Sequence, residues 1–141
     1  SAASDVYKRQ RTPHSPYTLT MSILTTENYI NACAFVMAAY GLQFLLMPAK
    51  IITDHFKATT SAITLFTARG TAGPMIAVAY AMHKMQDLQF TVATIALIAF
   101  LYPFNAKYGI FQKLKCKYPM HYVPEGLMTT LITTGIYLLA Q

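Results

Sequence analysis

Charge is scarce in this chain. Asp, Glu, Lys and Arg make up 11% of its 141 residues, and only five of them are acids. An ordinary soluble domain carries about 25% charged residues, so a conventional water-exposed surface is excluded. With 55% hydrophobic residues the composition is that of a membrane protein. Cysteine is almost missing: Cys33 sits in an apolar run and Cys116 in a lysine cluster. That excludes a disulfide framework and a thiolate metal site, leaving one packing residue and one exposed thiol. Tryptophan is absent, which leaves tyrosine to mark the membrane interface. No two histidines stand at the spacing that puts two ligands on one helix face, and no nucleophile and base form a recognisable pair. Metal or nucleophilic catalysis is not expected, nor is a metal site of the chain's own.

The net charge of +6 arises from lysines and arginines between apolar runs rather than across a soluble face. The expected partners are therefore anionic lipid and other membrane subunits, not nucleic acid. Residues 1–20, SAASDVYKRQRTPHSPYTLT, are polar and lack the apolar stretch of a secretory signal. The first ten resemble a translated sequencing adaptor, so an artefactual or disordered leader is expected before Met21, with residues 21–141 as the domain.

Four apolar segments follow, at about 28–47, 61–82, 88–106 and 124–140. Each has roughly the length that crosses a hydrocarbon layer of about 30 Å. Inside lipid the backbone must satisfy its own hydrogen bonds, so the expected fold is all-α, an integral membrane bundle of four transmembrane helices in up-down topology. The first and third connections carry Lys50, Lys57, Lys107, Lys113, Lys115 and Lys117 with interleaved apolar and aromatic residues. Both read as interfacial segments, and the positive-inside rule places them on the stromal, matrix or cytoplasmic side. The leader's Lys8, Arg9 and Arg11 argue for the opposite orientation.

One stretch breaks the apolar pattern: LFTARGTAGPMIAVAYA, Leu65 to Ala81. Arg69 falls roughly 12 Å into the second helix, counted at 1.5 Å per residue. An arginine at a helix centre costs about 2.5–3.5 kcal/mol on insertion scales, so it is expected to face inward and meet an acid. Asp5 lies in the leader, Glu27 and Asp87 lie at the opposite membrane face, and Asp54 is in the first loop. Glu125 is therefore the expected partner, with Asp54 in reserve. Gln43 and Asn105 complete a polar pocket that either locks the helices or receives a lipid, pigment or quinone head group. Ala68, Ala72, Gly73, Ala77 and Ala81 read as a small-residue stripe for close helix packing, and Pro74 as a kink. His83 and His55, with His121, are possible pigment ligands, His83 foremost. Asn28, Asn31 and Glu27 read as capping residues.

The segments YGLQFLLMPAK and FTARGTAGPMIAVAYA, with Pro48-Ala49-Lys50 before an amphipathic loop and an Arg-Gly pair in helix two, resemble the DoxX-like group of small four-helix membrane proteins. The likeness covers about half the chain. It implies an up-down four-helix bundle with Arg69 as a structural or head-group contact. Members of that group range from respiratory accessory subunits to sterol-pathway scaffolds.

Together these readings lead us to expect a non-enzymatic accessory subunit of an energy-converting membrane complex. An algal photosystem-antenna supercomplex in the thylakoid is preferred, with chlorophyll or carotenoid at the periphery and bound lipid. The alternatives are an accessory subunit of a respiratory complex in the mitochondrial inner membrane, and a lipid or sterol-pathway protein with a polar head-group pocket.

Overall fold

The computed structural model describes residues 24–141; the leader, its charged residues and Met21 lie outside the described residues. The chain is all-helical there, with six helical segments and one isolated β-bridge. Helix α1, Thr26–Leu46, starts where the Thr25 hydroxyl accepts the Asn28 N–H at 3.1 Å, the usual satisfaction of a free N-terminal amide. It stops before Pro48, which lacks the N–H needed to continue a helix but suits the first position of a new one. That new helix is α2, Pro48–His55. Ser61 caps α3, Ala62–Met85, by accepting from the Thr64 N–H. Gln86 then takes a left-handed conformation (φ 50°), and Asp87 caps α4, Leu88–Lys107, through the Phe90 N–H at 2.9 Å. Two residues thus reverse the chain between α3 and α4. A single turn, α5 (Ile110–Lys113), precedes α6, Tyr122–Leu139.

Helices α1, α3 and α4 are long and apolar enough to cross a membrane. The fourth expected span, α6, is not among them: it has 18 residues, with Glu125 in its first turn and threonines at 129, 130, 133 and 134. The hydroxyls of Thr129, Thr130 and Thr133 each return to the carbonyl four residues back, as do those of Thr67 and Thr71 on α3. These groups are satisfied without water. Phe35, Phe66, Leu97 and Leu46 are each at least 70% exposed, an outer surface that a water-soluble monomer rarely tolerates and that suits hydrocarbon.

Helix α3 packs chiefly on α1, and α6 chiefly on α4. The core joins Ile30, Cys33 and Met37 of α1 to Ala79 and Met82 of α3, Ile95 of α4 and Leu131 of α6. Two glycines set its closest approaches. A Cβ on Gly41 would stand 2.8 Å from Ile76 Cγ1 and 3.3 Å from the Ala72 carbonyl oxygen; one on Gly135 would stand 2.7 Å from Val92 Cγ2 and collide with the Tyr29 hydroxyl. That hydroxyl donates to the Leu131 carbonyl at 3.0 Å, a buried link between α1 and α6.

The small-residue stripe divides. Ala72 is buried and Ala68 and Ala81 are half-buried, but Gly73 and Ala77 face outward, with nothing within 4 Å of a Cβ on Gly73. One residue along a helix turns the side chain by about 100°, so Ala72 and Gly73 serve different faces. The inner run is Ala72, Ala79 and Met82, and α3 continues unbroken through Pro74.

The two basic connections meet at one end of the bundle. Phe56 and Cys116 form an antiparallel bridge, with Lys57 N–H donating to the Lys115 carbonyl at 2.7 Å and Lys117 N–H to the His55 carbonyl at 2.8 Å. The Lys117 ammonium adds a bond to the Thr53 carbonyl at 2.6 Å.

Candidate functional site

Three groups of polar side chains stand out against this apolar frame. The first is Arg69. It is exposed on α3, and among the described residues it makes no ion pair or side-chain hydrogen bond. The expected pairing with Glu125 is not made. Glu125 accepts from the Tyr118 hydroxyl at 3.3 Å, and its Oε1 lies 3.7 Å from His121 Nε2. The reserve partner Asp54 is held by Lys50 at 2.8 Å, and that hydrogen bond keeps its carboxyl below the usual range. The physical reason is packing order: Arg69 rides on α3, which leans on α1, while Glu125 belongs to the α4–α6 side. Gln43 is exposed in a groove with Asp54, and Asn105 is half-buried near the end of α4. The four-residue polar pocket expected from the sequence is therefore not assembled around Arg69. Instead Phe66, Arg69, Gly73, Ala77 and Tyr80 share one outward face, spaced at three and four residues and all exposed.

The second group lies at the end opposite the paired loops. Gln86 Nε2 donates to the His83 carbonyl at 2.8 Å, which fixes that atom as the amide nitrogen. The same nitrogen lies 3.1 Å from Asn31 Oδ1, so the latter is an acceptor, and His83 Nδ1 at 3.0 Å from it must carry the proton. The Nε2 lone pair of the exposed His83 is then left for an outside donor or metal, the arrangement in which an acceptor on the far nitrogen orients a ligating imidazole. Asn31 is thus more than an end-of-helix cap. Its partners lie 52 and 55 residues away, beyond any local spacing signal.

The third group surrounds a half-open cavity of about 220 Å³ between α1, α2, α3, α4 and α6. Its walls are Val36, Met37, Phe44, Met75, Ile98 and Leu127, with Tyr40, His55, Tyr102 and His121 among the remaining lining residues. His121 is 3% exposed. Its ring stands edge-on to Phe56 at 4.9 Å and to His55 and Tyr118 at 5.9 Å each, centroid to centroid. His55 Nδ1 is buried and has no hydrogen-bond partner among the described residues, a condition that costs about 1–3 kcal/mol. An outer groove of about 350 Å³, lined by Phe35, Ala39, Gln43, Lys50, Asp54 and Val123, shares Val36, Tyr40, Ile51 and His55 with the cavity. Sequence reasoning named His55 and His121 separately but not the cavity that joins them, because no short-range pattern pairs residues of five elements.

Burial and the neighbouring His121 lower the His55 pKa below its ordinary 6.5, against a smaller upward pull from Asp54. A depressed value means that the folded chain takes up this proton later than the unfolded one. The associated stability is present above the ordinary imidazole range and is lost as pH falls through the folded value. Thermal unfolding in mild detergent is therefore expected to show a midpoint that falls as the pH drops below the ordinary imidazole range, and His55→Phe is expected to flatten part of that fall. Nearby Cys116 is half-buried. Burial, then the Glu125 carboxylate, push its thiol above the usual range, the opposite of an activated nucleophile. No group of His, Cys, Asp and Glu among the described residues is placed to hold a metal ion.

No protein family, characterised protein or solved structure matches this chain.

Proposed function

We propose that this chain is a four-span, up-down integral membrane protein that serves as a non-catalytic accessory subunit of a larger energy-converting membrane complex. It docks there through the outer face of α3. One observation carries the reading: Arg69 is exposed, without an ion pair or side-chain hydrogen bond among the described residues, on a helix apolar enough to span a membrane. Guanidinium in hydrocarbon is costly, and snorkelling toward the loop end relieves only part of that cost. A neighbouring membrane helix carrying Asp or Glu at the same depth supplies the missing charge. Gly73 and Ala77, four apart on the same exposed face, let that helix approach closely. The paired loops bring Lys50, Lys57, Lys115 and Lys117 to one end, which we assign to the stromal, matrix or cytoplasmic side.

A pigment-bearing complex is favoured within this class by His83, whose outward lone pair is oriented by Asn31. In such a complex the imidazole ligates the central metal of a chlorophyll at the bundle's edge, in a thylakoid. Absorption spectra of the particle purified from native membranes test this: His83→Phe is expected to remove or shift one chlorophyll band while the particle stays intact. An unchanged spectrum contradicts the pigment reading and leaves the docking reading standing.

A further inference from the structure

We propose that the half-open cavity beside His55 binds the single-ring head of a neutral, long-tailed lipid bearing a carbonyl or hydroxyl on that ring, the chemistry of a prenyl quinone or its quinol, with His55 as the hydrogen-bonding partner. The inference stands apart from the docking surface on α3 and the histidine at the opposite end.

Size sets the first limit. An apolar cavity of about 150 Å³ accommodates benzene, so about 220 Å³ has room for one substituted ring. Lining sets the second. Apolar walls from Val36, Met37, Phe44, Met75, Ile98 and Leu127 suit a ring's faces and methyl groups. Imidazole and phenol groups are available for its oxygens. His55 Nδ1, buried and without a partner among the described residues, is a hydrogen-bonding group of the kind native structures seldom leave unsatisfied. Charge sets the third. No Asp, Glu, Lys or Arg stands among the described residues that line the cavity, so an ionised head finds no countercharge there while a neutral one is accepted. Connectivity supplies the tail's path. The groove that shares Tyr40, Ile51 and His55 with the cavity continues over Phe35 and Ala39 on the outside of α1, where a prenyl or alkyl chain leaves toward the bilayer.

The test uses the full chain in lipid nanodiscs. The probe is a decyl-tailed para-benzoquinone, the comparison compound is decylbenzene, and binding is read by saturable quenching of tyrosine fluorescence and by competition. Saturable quinone binding is expected, at least about tenfold tighter than decylbenzene, the worth of one good hydrogen bond. His55→Phe is expected to erase that preference without changing decylbenzene binding. His55→Gln, which keeps a donor and an acceptor, retains part of it. Ile98→Phe, which fills the cavity, is expected to abolish binding of both, with helix content by circular dichroism showing that each variant is folded. Absence of saturable quinone binding to the folded chain overturns the proposal, as does equal affinity for the two probes or a quinone affinity indifferent to His55→Phe.

Discussion

Gly135→Ala is expected to destabilise the bundle by about 1–3 kcal/mol, the usual cost of forcing an extra methyl group into a well-packed interior. The added carbon meets the Tyr29 hydroxyl and stands 2.7 Å from Val92 Cγ2, so α6 must move away from α1 and α4 together. The hydroxyl cannot yield freely, because it donates to the Leu131 carbonyl at 3.0 Å. Tyr29→Phe alone is expected to cost about 1 kcal/mol through that lost bond. In combination the two substitutions should cost less than their sum, since the phenylalanine removes the atom the methyl group strikes. Reversible denaturation in mixed micelles measures all three variants. Additive costs would place the clash elsewhere than at Tyr29, and a neutral Gly135→Ala would mean that α6 does not approach so closely.

Arg69→Leu should act in opposite directions on the chain and on its assembly. Within the isolated chain the guanidinium has no partner among the described residues, so its replacement is expected to favour membrane insertion of α3 by up to about 2.5 kcal/mol, less where snorkelling already shelters the charge. In native membranes the same variant is expected to leave the large particle and migrate as a small one, because the acid on the partner helix is then buried unpaired. A purely internal structural arginine behaves otherwise: its loss weakens the isolated bundle and the assembly alike. Insertion efficiency in microsomes and particle size on native gels separate the two cases.

Much of the secondary structure could be read from local chemistry. Expected spans of 28–47, 61–82 and 88–106 compare with Thr26–Leu46, Ala62–Met85 and Leu88–Lys107, because Thr25, Ser61 and Asp87 are side-chain caps and Pro48 is a stop. What eluded the sequence is rotational. The choice of Glu125 for Arg69 was an elimination by membrane side, but which way α3 turns depends on where Gly41 lets α1 approach, and Gly41 sits 31 residues away from Ala72 in the chain. For the same reason the stripe reads as one surface in sequence, although Ala72 faces the core and Gly73 and Ala77 face outward. The Asn31, His83 and Gln86 network, the Phe56–Cys116 bridge and the histidine-lined cavity all join distant segments. Composition and periodicity carry no information on such pairs.

The docking role of α3 is tested most directly by placing a benzoyl-phenylalanine photo-crosslinker at Phe66, an exposed aromatic one turn from Arg69 on the same outward face, in the native membrane and identifying the crosslinked peptide by mass spectrometry. We expect one discrete adduct, to a membrane-spanning segment of another subunit that carries Asp or Glu at the depth of Arg69, and its loss when Arg69→Leu is combined with the crosslinker. Adducts to lipid alone, or a protein adduct unaffected by Arg69→Leu, would contradict the assignment.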